Sequence, residues 1–172
     1  MIEPAPPYRG EGPHALWHVS EDPTIDRFRL RDGKVWAIDT RHLPLYWFPR
    51  DCPRATFWAN SATTNEDVGR FLDRERTRRV HVVEPSALDA MRSTRVVAYR
   101  LPAETFGRWD RFWISPAPVE PIELVELGDL VRLHEEAGIA LHGDAGLLAL
   151  WERVVDSTLD YSGIRLRNAV RS

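Results

Sequence analysis

The chain has one cysteine, Cys52, and one lysine, Lys34. A lone cysteine cannot close an internal disulfide, which excludes a disulfide scaffold and fits a reducing compartment. With one lysine, nearly every base is an arginine, a bias that the composition of a GC-rich genome accounts for. No apolar run reaches the length of a membrane span, and the opening Met-Ile-Glu-Pro-Ala-Pro-Pro has neither the basic nor the apolar region of a secretion signal. The expected location is the cytoplasm. Glycine-rich phosphate loops, a Gly-x-Ser-x-Gly elbow and a Rossmann fingerprint are missing, so P-loop phosphoryl transfer, acyl hydrolysis by that elbow and nicotinamide hydride transfer have no motif behind them. His14, His18, His42, His81, His134 and His142 are dispersed, with no His-Glu-x-x-His, and no metal site is expected.

What is present describes a globular chain. Hydrophobic residues make up 43% and charged residues 28% of the 172, enough to build a sizeable core and too mixed for disorder. A formal charge of −3 argues against nonspecific nucleic-acid binding. Residues 1–14, rich in proline and glycine, read as an irregular arm, and residues 15–172 as a single α+β domain. Strands are expected at Ala15–Ser20, Val35–Ile38, Ala55–Ala59, Val80–Glu84, Val96–Leu101, Phe112–Ser115 and Ile122–Leu127. Thr64 followed by Asp67 resembles a capping box for a helix from Asn65 to Arg74, and Pro85, Ser86 and Asp89 mark a second start, suggesting a β-helix-β unit. Asp129 is expected to cap a helix ending before Gly138, and Asp144 a longer one to Leu159. The apolar face of that last helix, Leu147, Leu148, Trp151, Val154, Val155 and Leu159, should cover a sheet. The fold class is thus mainly antiparallel sheet with C-terminal helices.

The stretch from Leu43 to Ala59 concentrates aromatics, prolines, two arginines, an aspartate and Cys52, a mixture that suits a binding cleft. Tyr46 and Trp47 supply aromatic walls. Between Pro49 and Pro53, Asp51 is expected to fix a turn through backbone N–H groups, freeing Arg50 to meet an anion with its planar fork. Arg54 adds a second guanidinium, and Cys52 could act as a nucleophile if Arg50 and Arg54 lowered its pKa. An RNA end-processing groove would need Arg50, Arg54, Arg165 and Arg167 together, which requires the C-terminal segment to fold back. The expected ligand is a small anion or nucleotide near residues 43–58, bound by a noncatalytic module.

Leu16-Trp17-His18-Val19-Ser20, with Ile25 and Phe28 after it, is similar to the opening strand of ADP-ribosyltransferase-like proteins and RNA 2′-phosphotransferases. That resemblance implies an ADP-ribosyltransferase-like fold and an alternative function, glycosyl transfer with NAD as cofactor. In it His18 and Ser20 would engage the dinucleotide, Tyr46 or Trp47 would stack on nicotinamide, and Glu123 or Glu120 would stabilise developing positive charge. Leu16–Phe28, Leu43–Trp58, Arg79–Pro85 and Ser162–Ala169 together resemble an uncharacterised bacterial family of similar size, which implies no activity.

Overall fold

The computed structural model describes residues 15–72 and 79–170; the proposed N-terminal arm, the charged run after Leu72 and Arg171 lie outside them. In chain order the strands are β1 (Leu16–Ser20), β2 (Val35–Asp39), β3 (Arg54–Trp58), β4 (Arg79–Val83), β5 (Val97–Leu101), β6 (Gly107–Trp109), β7 (Phe112–Ser115), β8 (Glu123–Glu126), β9 (Ala140–Gly143) and β10 (Asp160–Ile164). The helices are α1 (Asn65–Phe71), α2 (Ala87–Ser93), α3 (Leu130–Glu136) and α4 (Leu147–Val155). The fold is α+β. Two compact units divide the described residues: one takes 49–72, 79–93 and 129–170, the other 15–48 and 94–128.

The second of these units is an antiparallel sheet in the order β6-β7-β2-β1-β5-β8. Arg31-Asp32-Gly33-Lys34 turns the chain into β2, with Asp32 at φ 51° and Gly33 at φ 75° and reciprocal backbone bonds of 2.9 and 3.1 Å between Arg31 and Lys34. Asp-Gly suits that turn because both central residues need positive φ. Alternation then puts Leu16, Val35, Ala37, Val97, Tyr99 and Leu101 on one face, where Phe28 and Val119 complete a core.

The other unit is a mixed sheet, β10-β3-β4-β9, antiparallel except for the β4–β9 pair. One face of β3 and β4 is apolar: Ala55, Phe57, Val80 and Val82 pack with Leu147, Val154 and Leu159. The other face carries Arg54, Thr56, Arg79 and His81, all buried. Thr64 caps α1 as its capping signature predicts, accepting from Asp67 N at 3.2 Å, and Asp129 caps α3 by accepting from Val131 N and Arg132 N at 2.9 and 3.1 Å.

Three expectations are corrected. The β4-α2-β5 segment is not one β-helix-β unit, since β4 and β5 belong to different sheets and the parallel partner of β4 is β9. The last helix runs Leu147–Val155 rather than from Asp144 to Leu159. Asp144 accepts from Gly146 N at 2.7 Å just ahead of it, and Thr158 is held beyond its end by Asp67, whose Oδ2 accepts from Thr158 N at 2.8 Å and Oγ1 at 2.5 Å. Leu159 therefore stays in the core while the chain leaves to form β10, and Val155 is exposed. Strands β6, β9 and β10 have no counterpart in the sequence reading; they are short or carry glycine, which weakens periodic signals.

Candidate functional site

His18 sits at mid-β1 opposite Tyr99. Its Nδ1 lies 3.0 Å from the Trp36 carbonyl, which can only accept, so Nδ1 carries a proton and donates. Phe28 packs on the ring at 4.7 Å. Tyr99 ties the following turn down, its hydroxyl donating to Asp22 O at 2.8 Å and accepting from Ile25 N at 3.0 Å. Ser20 serves that turn too, accepting from Asp22 N at 3.1 Å. Asp22 accepts from Thr24 Oγ1 and N at 2.6 and 2.9 Å, and these bonds hold its carboxyl below the usual range.

Glu123 does not join His18. Cross-strand partners share a face, so Trp17, Arg100 and Glu123 lie on one side of the sheet and His18, Tyr99 and Leu124 on the other. Glu123 is half-exposed beside Arg100 at 3.7 Å, and Glu120 faces Arg27 at 3.9 Å. Trp47 is likewise corrected as a ligand wall: it has no exposed surface and lies inside with Leu43, Leu45 and Phe48, whereas Tyr46, at the end of the 3-10 turn Leu43–Tyr46, is half-buried. The aromatic half of the Leu43–Ala59 stretch and the half carrying Arg50, Asp51 and Arg54 fall in different units. A pairing the sequence reading missed precedes the aromatics. Asp39 Oδ1 accepts from His42 N and Nδ1 at 3.0 and 2.7 Å; burial alone would raise this carboxyl, but the bonds and charge of His42 outweigh it and lower its pKa.

In the first unit, loop 49–53 and the C-terminal segment meet. Cys52 N donates to Pro49 O at 3.1 Å, closing the turn. Asn168 Nδ2 donates to Asp51 O at 2.9 Å, and Arg165 Nε reaches Arg50 O at 3.4 Å and Asp51 Oδ1 at 3.7 Å. Arg165 takes a left-handed backbone, φ 56°, at the entrance to the 3-10 turn Leu166–Asn168. The C-terminal segment thus folds back, bringing Arg165 to Arg50. Arg50 and Arg167 are exposed; Arg54 is buried, with Nη1 donating to Cys52 O at 3.1 Å. The turn is held by its own backbone and by Asn168, and the Asp51 side chain, 79% exposed, is not its fastener. Cys52 is a buried thiol whose pKa burial pushes up to about 11, against the pull of Arg54 and with Glu84 adding to the rise; it is no thiolate nucleophile at neutral pH.

A second polar group lies on the buried face of the same sheet. Arg79 Nε donates to His81 Nε2 at 3.0 Å, His81 Nδ1 meets His134 Nε2 at 2.9 Å, and His134 Nδ1 meets Leu130 O at 2.7 Å. An arginine can only donate and a carbonyl only accept, so one assignment satisfies every link: both rings are neutral with the proton on Nδ1. Burial depresses both pKa values, His81 well below the usual range and His134 to about 4, with Arg79 acting in the same direction on each. No local pattern announces this pair, because 53 residues separate the two rings.

Among the described residues no three His, Cys, Asp or Glu side chains come together as a metal site, and no helix is long and apolar enough to cross a membrane. No curated protein and no solved structure matches the chain, so the resemblance of β1 to ADP-ribosyltransferase-like proteins gains no support from either comparison. A family model does match, from residue 17 to residue 169, and the chain accordingly belongs to the family of unknown function DUF6886.

Proposed function

We propose that this protein binds a small anion, a phosphate-bearing metabolite or nucleotide, at the corner formed by loop 49–53 and the Arg165–Asn168 turn. The observation that supports this reading is the pair of bonds from Arg165 and Asn168 to the carbonyls of Arg50 and Asp51, which bring the Arg165 guanidinium onto the backbone of a loop whose Arg50 is exposed. A planar fork held by a backbone contact, as that of Arg165 is, loses little freedom when it meets a phosphate. Arg167 adds charge from the same turn. The chemistry is recognition, without a bond made or broken.

Thermal melts of the full chain at low salt with inorganic phosphate, AMP and NAD test it. A ligand at a hundred times its dissociation constant stabilises by about 2.7 kcal/mol, and Arg165→Ala or Arg50→Ala should remove the shift. No shift with any of the three at millimolar concentration would overturn the proposal. NAD-dependent glycosyl transfer through His18, Tyr46 and Glu123 is less well supported, because His18 and Glu123 are on opposite faces of their sheet. A shift with NAD alone, abolished by His18→Ala and kept by Arg165→Ala, would reverse that preference.

A further inference from the structure

Independently of any ligand, we propose that the Arg79–His81–His134 chain of hydrogen bonds is an acid-operated latch that holds α3 against the four-stranded sheet. Helix α3 has seven residues, too few to persist by itself in water. Its last turn carries His134, fully buried, and His134 is bonded to His81 on β4. Inside the helix the same ring bonds the Leu130 carbonyl, so the latch joins helix to strand through a single imidazole.

The direction of the chain makes it sensitive to one added proton. His134 has one basic nitrogen, Nε2, and it is the acceptor for His81 Nδ1–H. A proton there sets two N–H groups face to face. His81 cannot resolve the conflict by changing tautomer, because its other nitrogen accepts from Arg79, and a guanidinium does not give up its proton. Besides burial, the titratable groups acting on His81 are Arg79 on its own strand, His134 on α3 and Arg54 on β3, and all three oppose protonation. Thr56, directly opposite His81 on β3, is occupied, donating to Ser162 O at 2.9 Å. On the elements packed against α3, Arg92 of α2 pairs with Asp129 at the exposed start of the helix, 3.4 Å away, and His142 of β9 is exposed.

Both histidines are depressed in the folded chain, so between their folded and unfolded values the unfolded chain binds more protons. Stability from the latch is complete above 6.5 and is lost as pH falls towards about 4. Amide hydrogen exchange across this range, corrected for intrinsic rates, reads it. Protection of α3 should fall by up to about tenfold per pH unit for one proton, ahead of β3 and β4. His134→Gln, whose amide oxygen can accept from His81 without titrating, should flatten that slope. The same slope in the variant, or equal loss in α3 and the two strands, would overturn the latch. If the variant does not fold, the imidazole nitrogen shifts of the wild-type chain decide: protonated Nδ1 and bare Nε2 on both rings at neutral pH support it, and either ring charged or in the other tautomer overturns it.

Discussion

Two arginine groups in one unit are used in opposite ways. Arg79 is buried, stacks over Trp58 at 5.0 Å from ring centroid to guanidinium carbon and hands a proton donor to His81; Arg50 and Arg165 lie at a turn where water reaches them. A buried guanidinium carries a desolvation penalty that leaves no tolerance for a lost partner, whereas an exposed one contributes little to stability and stays available for a ligand. Breaking the first should therefore register in folding and breaking the second in binding.

The largest effect is expected at His81. His81→Leu leaves Arg79 and His134 each without the ring they bond, and urea denaturation should report a loss of about 3–5 kcal/mol. Replacing Arg79 by Met in the same chain should recover much of that loss, because the buried charge goes with its partner. A loss below about 1 kcal/mol in the single variant would mean that the buried chain of bonds is not a unit.

Next comes the packing that supports the exposed corner. A Cβ on Gly163 would lie 2.6 Å from Leu166 Cδ1 and 2.8 Å from Trp151 Cη2 and Cζ2, in the strand that leads to Arg165. Trp151 itself stands edge-on to Tyr161 at 5.3 Å. Trp151→Ala should cost about 3 kcal/mol and Gly163→Ala about 1–3 kcal/mol. Together they should cost less than their sum, since the shortened residue 151 makes room for the added methyl. Strict additivity in melting curves would show that the strand shifts away from the helix instead.

The smallest effects separate Asn168 from Asp51. Asn168→Ala removes the bond to the Asp51 carbonyl and should cost on the order of 1 kcal/mol while weakening phosphate binding. Asp51→Ala should leave the melting temperature nearly unchanged, because the carboxylate is exposed and its contact with Arg165 is long. A larger loss at Asp51 would restore the expectation that its side chain fixes the loop.

Legibility in the sequence followed the range of the interaction. The Thr64 and Asp129 caps were readable because a cap is complete within four residues. The strands at β1, β2, β3, β4, β5, β7 and β8 were readable from alternation and β-branched or aromatic content. Arg50, Arg54, Arg165 and Arg167 were recognisable as a set, but Arg54 is buried, and the contact of Arg165 with the Arg50 carbonyl depends on Asn168 and the left-handed Arg165 backbone, which no local pattern announces. Asp39 and His42 stand three apart and were still overlooked, since an Asp and a His at that spacing form no motif until a turn folds them together.

The amino-acid order alone determined an α+β chain, where most of its strands and helix starts lie, and that its bases, Lys34 apart, are arginines. Tertiary structure decided that β4 and β5 part into separate sheets, that Glu123 and His18 turn to opposite faces, and that His81 finds His134. The reason is physical: alternation fixes which residues of a strand share a face, but only the partner strand and the helix laid on it decide whether that face becomes core, surface or a buried chain of hydrogen bonds.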